Sequence, residues 1–271
     1  MQLDHSRIAT RQRSYDDVLD LALRVIRTYP LPLAAALAVG VLPAMLLNAW
    51  LLADYLEPDF ELGFPATYLW YMFLLVLWEI PLATAPATLY LGQAVFLDRP
   101  RAAKVAESFW KSLPQLFFYQ VVIRAVLLLP FITWFFLFAA WPYLNEVILL
   151  ERNPLRGGRH GQMTTYRRAK VLHGGYVSDL FFRWLGAAAV GALLFLSLWL
   201  SLWTAVGALL DQWEWTTAVY AIYCPLALWI TVGYLTVVRF LAYLDLRIRR
   251  EGWEVELLMR AEEDRLVRQL T

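Results

Sequence analysis

The chain has 271 residues, of which 60% are hydrophobic, 15% aromatic and only 17% charged, with a mean hydropathy of +0.50. Soluble domains run at ~45–50% apolar and ~25% charged residues, so this composition excludes a water-soluble globule, a disordered chain and a disulfide scaffold, and indicates an integral membrane protein. The net charge of +1 lacks the basic excess of a nucleic-acid binder, and the single cysteine, Cys224, leaves no internal disulfide, CxxC pair or thiolate zinc site.

Residues 1–28 mix basic and acidic side chains before the first apolar run, which is not the pattern of a cleavable signal peptide. Within them Tyr15, Val18, Leu19, Ala22, Val25, Ile26 and Tyr29 share one helical face, and Ser14 with Asp17 has the spacing of a capping box. This predicts an amphipathic helix lying at the membrane surface. Apolar runs follow at about 29–53 and 66–95, each long enough for a ~30 Å hydrocarbon core. A second amphipathic stretch, about 100–113, leads into a run over 115–150. As one helix that run would reach ~54 Å, so it reads as two spans, about 115–130 and 132–150, parted near Pro130, or as a re-entrant pair. A third, poorer amphipathic stretch over 165–172 stops at Gly174-Gly175, and spans at about 184–210 and 217–243 complete the set. Residues 244–271 alternate in sign and read as an exposed cytoplasmic helix.

Charge orients these spans. Loops 54–65 and 211–216 hold acidic residues and no Lys or Arg, whereas 22 of the 24 basic residues lie in the termini and in loops 96–114 and 151–183. The positive-inside rule makes both basic loops cytoplasmic. The expectation is an all-α, single-domain bundle of six transmembrane helices, paired as three hairpins, each preceded by an interfacial helix, with both termini in the cytoplasm. Trp50, Tyr55, Tyr68, Trp213 and Trp215 are placed as outer interface anchors, and Trp110, Trp184 and Tyr243 as inner ones. Ala36/Gly40 and Ala187/Gly191, four apart, allow close helix crossings.

The segment Tyr243, Asp245, Arg247, Arg249, Glu251, Gly252, Trp253 and Glu254 ends the last span. With the six-span layout, it resembles multi-span bacterial proteins of uncharacterised function, which are similar to the membrane domain attached to some glycerophosphodiester phosphodiesterases. The resemblance implies a bacterial inner-membrane bundle. The catalytic barrel of those enzymes is absent from this sequence, so their hydrolase activity does not come with it. The same residues also have a plain structural reading, as i,i+4 ion pairs and a glycine helix stop.

Charges inside a bilayer are costly, which singles out Glu79 and Arg124 near mid-depth as a pair, either a site or a brace. Glu146, beside Asn145 and just after Pro142, lies nearer the cytoplasmic face, and Arg239 is expected to snorkel to the headgroups or to meet Asp245. Arg152, Arg156, Arg159, Arg167, Arg168 and Lys170 form a candidate contact surface for anionic lipid. No catalytic, cofactor or metal motif stands out, and His160 and His173 are 13 residues apart with nothing to complete a metal set. Two functions fit. One is a non-enzymatic scaffold or accessory of an envelope or transport system, touching lipid and another membrane protein through the C-terminal helix. The other is a small permease or lipid-handling protein built on the intramembrane Glu/Arg groups. An enzyme acting on lipid lacks an acid, base and nucleophile set, and nothing in the sequence specifies a homo-oligomer.

Overall fold

The computed structural model describes residues 14–57, 63–95, 97, 100–125, 141–155, 163–175 and 177–251, the last without the side chains of Val177 and Glu251. It is all-helical, with no strand among the described residues. In chain order, α1 is Tyr15–Thr28, α2 Pro30–Leu51, α3 Ala66–Ala83, α4 Ala85–Ala94 and α5 Ala102–Phe117. After them come α6 (Leu144–Glu146), α7 (Thr165–His173), α8 (Val177–Leu210) and α9 (Cys224–Glu251). Three π-helical turns, Phe118–Ile123, Val147–Glu151 and Val219–Tyr223, follow α5, follow α6 and precede α9.

Among the described residues, four stretches are long and apolar enough to cross a membrane: Pro30–Leu51, Ala66–Ala94, Ser178–Leu210 and Val219–Arg250. They coincide with four of the six expected spans. Of the run 115–150, residues 126–140, Pro130 included, lie outside the described residues, as do Arg156, Arg159, His160 and the C-terminal helix. Leu31, Leu46, Leu193 and Leu209 stand on the outer surface of these long helices and are mostly exposed. Apolar surface on that scale belongs against lipid rather than water.

The Ala66–Ala94 stretch breaks at Thr84, between Pro81 and Pro86. Neither proline can donate a backbone hydrogen bond, so the carbonyls one turn earlier lose their helical partners. Gly40 brings α2 against this break, since a Cβ there would stand 2.0 Å from the Ala83 carbonyl oxygen. Gly191 similarly lets α8 approach Leu235 of α9. Both belong to the small-residue pairs seen in the sequence.

Helix α1 starts with the expected capping box. Ser14 Oγ accepts from the Asp17 N–H and Asp17 Oδ2 from the Ser14 N–H, both at 3.2 Å. Its apolar face, however, is turned to protein rather than to a membrane surface. Val18, Ala22 and Val25 are buried in one cluster with Val237, Val238 and Leu241 of α9. Each buried valine is worth about 1.5–3 kcal/mol relative to water. Helix α7 departs from the interfacial expectation in the same way. It runs antiparallel beside the segment that holds α6 and the Val147–Glu151 turn, with Thr165 next to Asn153 at one end and His173 next to Tyr143 at the other. Two expected interface anchors are also buried: Tyr68 inside the α2–α3–α9 cluster and Tyr243 inside the α1–α9 cluster.

At 34 residues, α8 measures about 51 Å, well beyond a ~30 Å hydrocarbon core. Its first turns and the last turns of α9 extend from the same end of the bundle, where Arg183 joins Asp245 at 3.5 Å.

Candidate functional site

Two polar clusters lie one above the other along a single face of α9. Arg239, Tyr243 and Arg247 are four residues apart, so they project on one side of the helix. Facing them are Glu146 and Glu151, five apart. In a regular α-helix five residues would turn one side chain about 140° from the other. The π-helical turn Val147–Glu151, closed by longer i→i+5 bonds, brings both carboxylates round to α9.

In the inner cluster, Arg239 Nε lies 2.6 Å from Glu146 Oε1, and Nη2 donates to Thr84 Oγ1 at 3.3 Å. The Thr84 hydroxyl donates in turn to the Ile80 carbonyl at 2.6 Å. Thr84 is available because the proline-flanked break lies here. Beside Glu146, Asn145 Nδ2 donates to the Pro81 carbonyl at 3.4 Å. Arg239 therefore neither snorkels outward nor meets Asp245, as its place near the end of the span had indicated. A carboxylate two helices away is the nearer and better-aimed partner.

Glu79 and Arg124 make two separate contacts rather than the expected pair. Glu79 Oε2 accepts from Asn48 Nδ2 of α2 at 2.8 Å. Arg124, 2% exposed, donates from Nη1 to the Trp78 carbonyl at 3.4 Å and lies within electrostatic reach of Arg239. It comes at the end of the π-helical turn Phe118–Ile123. Two of the three π turns thus adjoin this cluster, and such turns often mark functional sites.

The inner cluster is not saturated. Among the described residues, Glu146 Oε2 and Asn145 Oδ1 are buried with no hydrogen-bond partner, and so is Asn48 Oδ1 in the neighbouring pair. Glu146 itself is wholly inaccessible and Asn145 is 3% exposed. Rotating the Asn145 amide would set its oxygen against the Pro81 carbonyl, so the orphan is not an assignment artefact. A buried acceptor left without a donor costs about 1–3 kcal/mol. Arg239 keeps 22% of its side chain accessible, while Glu146 is sealed.

The outer cluster is the opposite case. Both Glu151 oxygens accept from Arg168, Oε1 also takes the Tyr243 hydroxyl at 2.8 Å, and Oε2 takes Asn153 Nδ2 at 3.1 Å. Arg247 stands 3.7 Å away. These donors hold the Glu151 carboxyl below the usual range against the upward push of burial. Asp245 takes Arg249 at 2.9 Å and Arg183 at 3.5 Å. Tyr243 and Arg247 therefore tie α9 to Glu151, which Arg168 of α7 also holds, Asp245 ties α9 to Arg183 of α8, and Arg249 pairs with Asp245 within α9. His173 completes this region. Its Nε2 accepts the Tyr143 N–H at 3.3 Å while Nδ1 faces the Ala169 carbonyl at 2.7 Å, which requires the neutral ring with the proton on Nδ1. Burial pushes its pKa down to about 4.

Among the candidate lipid-contacting residues, Arg168 is committed to Glu151, whereas Arg152, Arg167 and Lys170 are exposed. Asn48, Thr84 and Glu151 were not singled out in the sequence. A polar residue inside the first span and a threonine between two prolines were the available signals for the first two. No group of three or more metal-ligating side chains occurs among the described residues. Comparison with known protein families, characterised proteins and solved structures gives no match to this chain.

Proposed function

We propose that the chain is a non-enzymatic, six-span protein of a bacterial inner membrane, with both termini cytoplasmic, that binds and moves a polar-headed membrane substrate at the Asn145–Glu146–Arg239 cluster. The observation that carries this reading is the pair of buried, donorless acceptors beside an ion pair inside the bundle. A purely structural brace would be expected to satisfy them, because unpaired polar atoms away from water are costly.

The topology is supported by charge and by two contacts. Gln115 Nε2 donates to the Asn153 carbonyl at 3.1 Å, and Arg152 Nη2 to Ser108 Oγ at 2.5 Å. The chain that leaves at Gln115 is back beside it by Asn153, as an even number of crossings demands. Kinship with the membrane domains attached to some glycerophosphodiester phosphodiesterases is part of this proposal and rests on the segment from Tyr243 to Glu254.

The test is movement of fluorescently tagged phospholipid across proteoliposomes, read by quenching of the outer leaflet. Wild type should exceed protein-free vesicles, and Glu146→Gln should cut the rate about tenfold, the worth of one charge-assisted hydrogen bond. Wild-type vesicles no faster than empty ones would remove the reading. The scaffold or accessory alternative draws on the C-terminal helix, and truncation after Gly252 that abolished function while sparing lipid movement would favour it.

A further inference from the structure

Glu79 is the only charged side chain of α3, and α2 beside it has no ionisable group at all. Both helices lie within the apolar, membrane-length stretches. The amide of Asn48, with Nδ2 at 2.8 Å, is the hydrogen-bond partner of Glu79 among the described residues. The other elements packed against α3 bring Tyr119 and Arg124 from the Phe118–Ile123 turn and its end, Tyr90 from α4, and Cys224 and Arg239 from α9. None of them makes a hydrogen bond or an ion pair with Glu79. Arg124 reaches the backbone of Trp78 instead, and Arg239 is held by Glu146. Tyr68 and Tyr71, on α3 itself, stand two turns or more away.

Two deficits therefore meet between α2 and α3. A carboxyl group stands in an apolar span without a counter-ion, and the wholly buried Asn48 has an Oδ1 that finds no donor among the described residues. A charge taken out of water without a partner takes up a proton rather than remain ionised. A protonated carboxyl gains an O–H donor and keeps an accepting oxygen. One proton thus removes the charge and supplies the donor that Oδ1 lacks, so that acid and amide bond edge to edge. Exchanging the oxygen and nitrogen of the Asn48 amide leads to the same place. Two oxygens would then face each other at 2.8 Å, which only a proton between them allows. Glu79 is itself only half-buried, so its proton is not sealed in as Asn48 is.

We infer that Glu79 and Asn48 form a proton-binding site inside the membrane: Glu79 holds a proton that it donates to Asn48 Oδ1 while accepting from Nδ2, and release of that proton loosens α2 from α3. The ionised form keeps one bond to Nδ2 but sets a bare charge in the span and leaves Oδ1 without a donor again. Gly40 seats the same helix α2 against Ala83, so the loosening bears on the helix break at Thr84. The inference is independent of what the Asn145–Glu146–Arg239 cluster binds.

The test is infrared difference spectroscopy of the full chain in proteoliposomes, wild type minus Glu79→Gln, at pH ~6, where an ordinary glutamate is ionised. Gln keeps the shape of the neutral acid and offers its own amide donor to Asn48 Oδ1, so this variant should fold. The difference should contain the carbonyl-stretch band of a protonated carboxylic acid. That band should disappear as the pH is raised and should move to higher frequency in an Asn48→Leu background, where the hydrogen bonds of the acid are gone. A carboxylate band in its place would overturn the inference, and an acid band unmoved by Asn48→Leu would overturn the pairing. Thermal unfolding gives a second reading. Wild type and Glu79→Gln should melt together at pH ~6, and wild type should fall about 2–4 °C below the variant at alkaline pH, the shift that loss of one hydrogen bond brings in a chain of this size. Wild type melting above Glu79→Gln at pH ~6 would mean that an ionised carboxylate holds α2, and would overturn the inference. Equal melting at every pH would overturn the loosening of α2.

Discussion

The two clusters on α9 share a helix face, a residue repertoire and a facing segment, yet they differ in completeness. Around Glu151 both carboxylate oxygens are engaged, by two guanidiniums, a phenol and an amide. Arg239 is eight residues before Arg247 on α9, and there one oxygen of Glu146 and one of Asn145 find no donor among the described residues. Saturation is what a brace requires, because an ion pair taken out of water repays its desolvation only when its remaining hydrogen-bonding capacity is met. The outer cluster meets that condition and ties loop 151–183 to the end of the bundle. The inner cluster does not, and the deficit consists of acceptors only.

Substitutions separate a brace from a site. Glu151→Ala should produce the largest loss, about 3–5 kcal/mol of stability, because it strands Arg168 and Arg247 together with the Tyr243 hydroxyl. Thermal unfolding in detergent would show it, and a loss below 1 kcal/mol would mean the outer cluster is no brace. Gly40→Ala comes next. Its new Cβ would stand 2.0 Å from the Ala83 carbonyl, forcing α2 off the helix break at a cost of about 1–3 kcal/mol. Since α2 also carries Asn48, the Glu79 contact should loosen with it.

Acid sensitivity should belong to the outer region. The His173 pKa, near 4 against an ordinary 6.5, means the unfolded chain takes up this proton first. Stability is complete above pH ~6.5 and falls by up to about 3 kcal/mol as pH drops toward 4. Glu151, whose carboxyl is held below the usual range, extends the loss to more acid conditions, where its protonation abolishes the ties. A melting temperature independent of pH between 4 and 6.5 would contradict the assignment of a buried neutral His173. The smallest stability effect is expected at Asn145→Leu. It sacrifices one long bond to Pro81 but removes an orphaned acceptor, so the change should stay within about 1 kcal/mol. A neutral fold with lost lipid movement marks a site, whereas a loss of 2 kcal/mol or more would make Asn145 a brace after all.

Much of the architecture was readable because hydropathy is a local property. Runs such as Pro30–Leu51 declare themselves through their own composition, and the Ser14–Asp17 capping box through spacing alone. Gly40 and Gly191 marked close crossings. Partner identity was not readable, since it is set by which helices become neighbours. Mid-depth suggested Glu79 with Arg124, but α2 passes close enough to give Glu79 the Asn48 amide instead. That Glu146 and Glu151 both face α9 needed a change of helical register that no period-3.6 reading contains. Similarly, an amphipathic face announces that something apolar covers it, not whether that cover is lipid or α9, which is why α1 and α7 were both assigned to the membrane surface.

The most direct measurement is a high-resolution cryo-electron microscopy structure of the full chain in nanodiscs of native lipid. The account predicts non-protein density at the Asn145–Glu146–Arg239 cluster that is absent in Glu146→Gln. Protein donors filling both acceptors, with no such density, would contradict it and make the inner cluster a second brace.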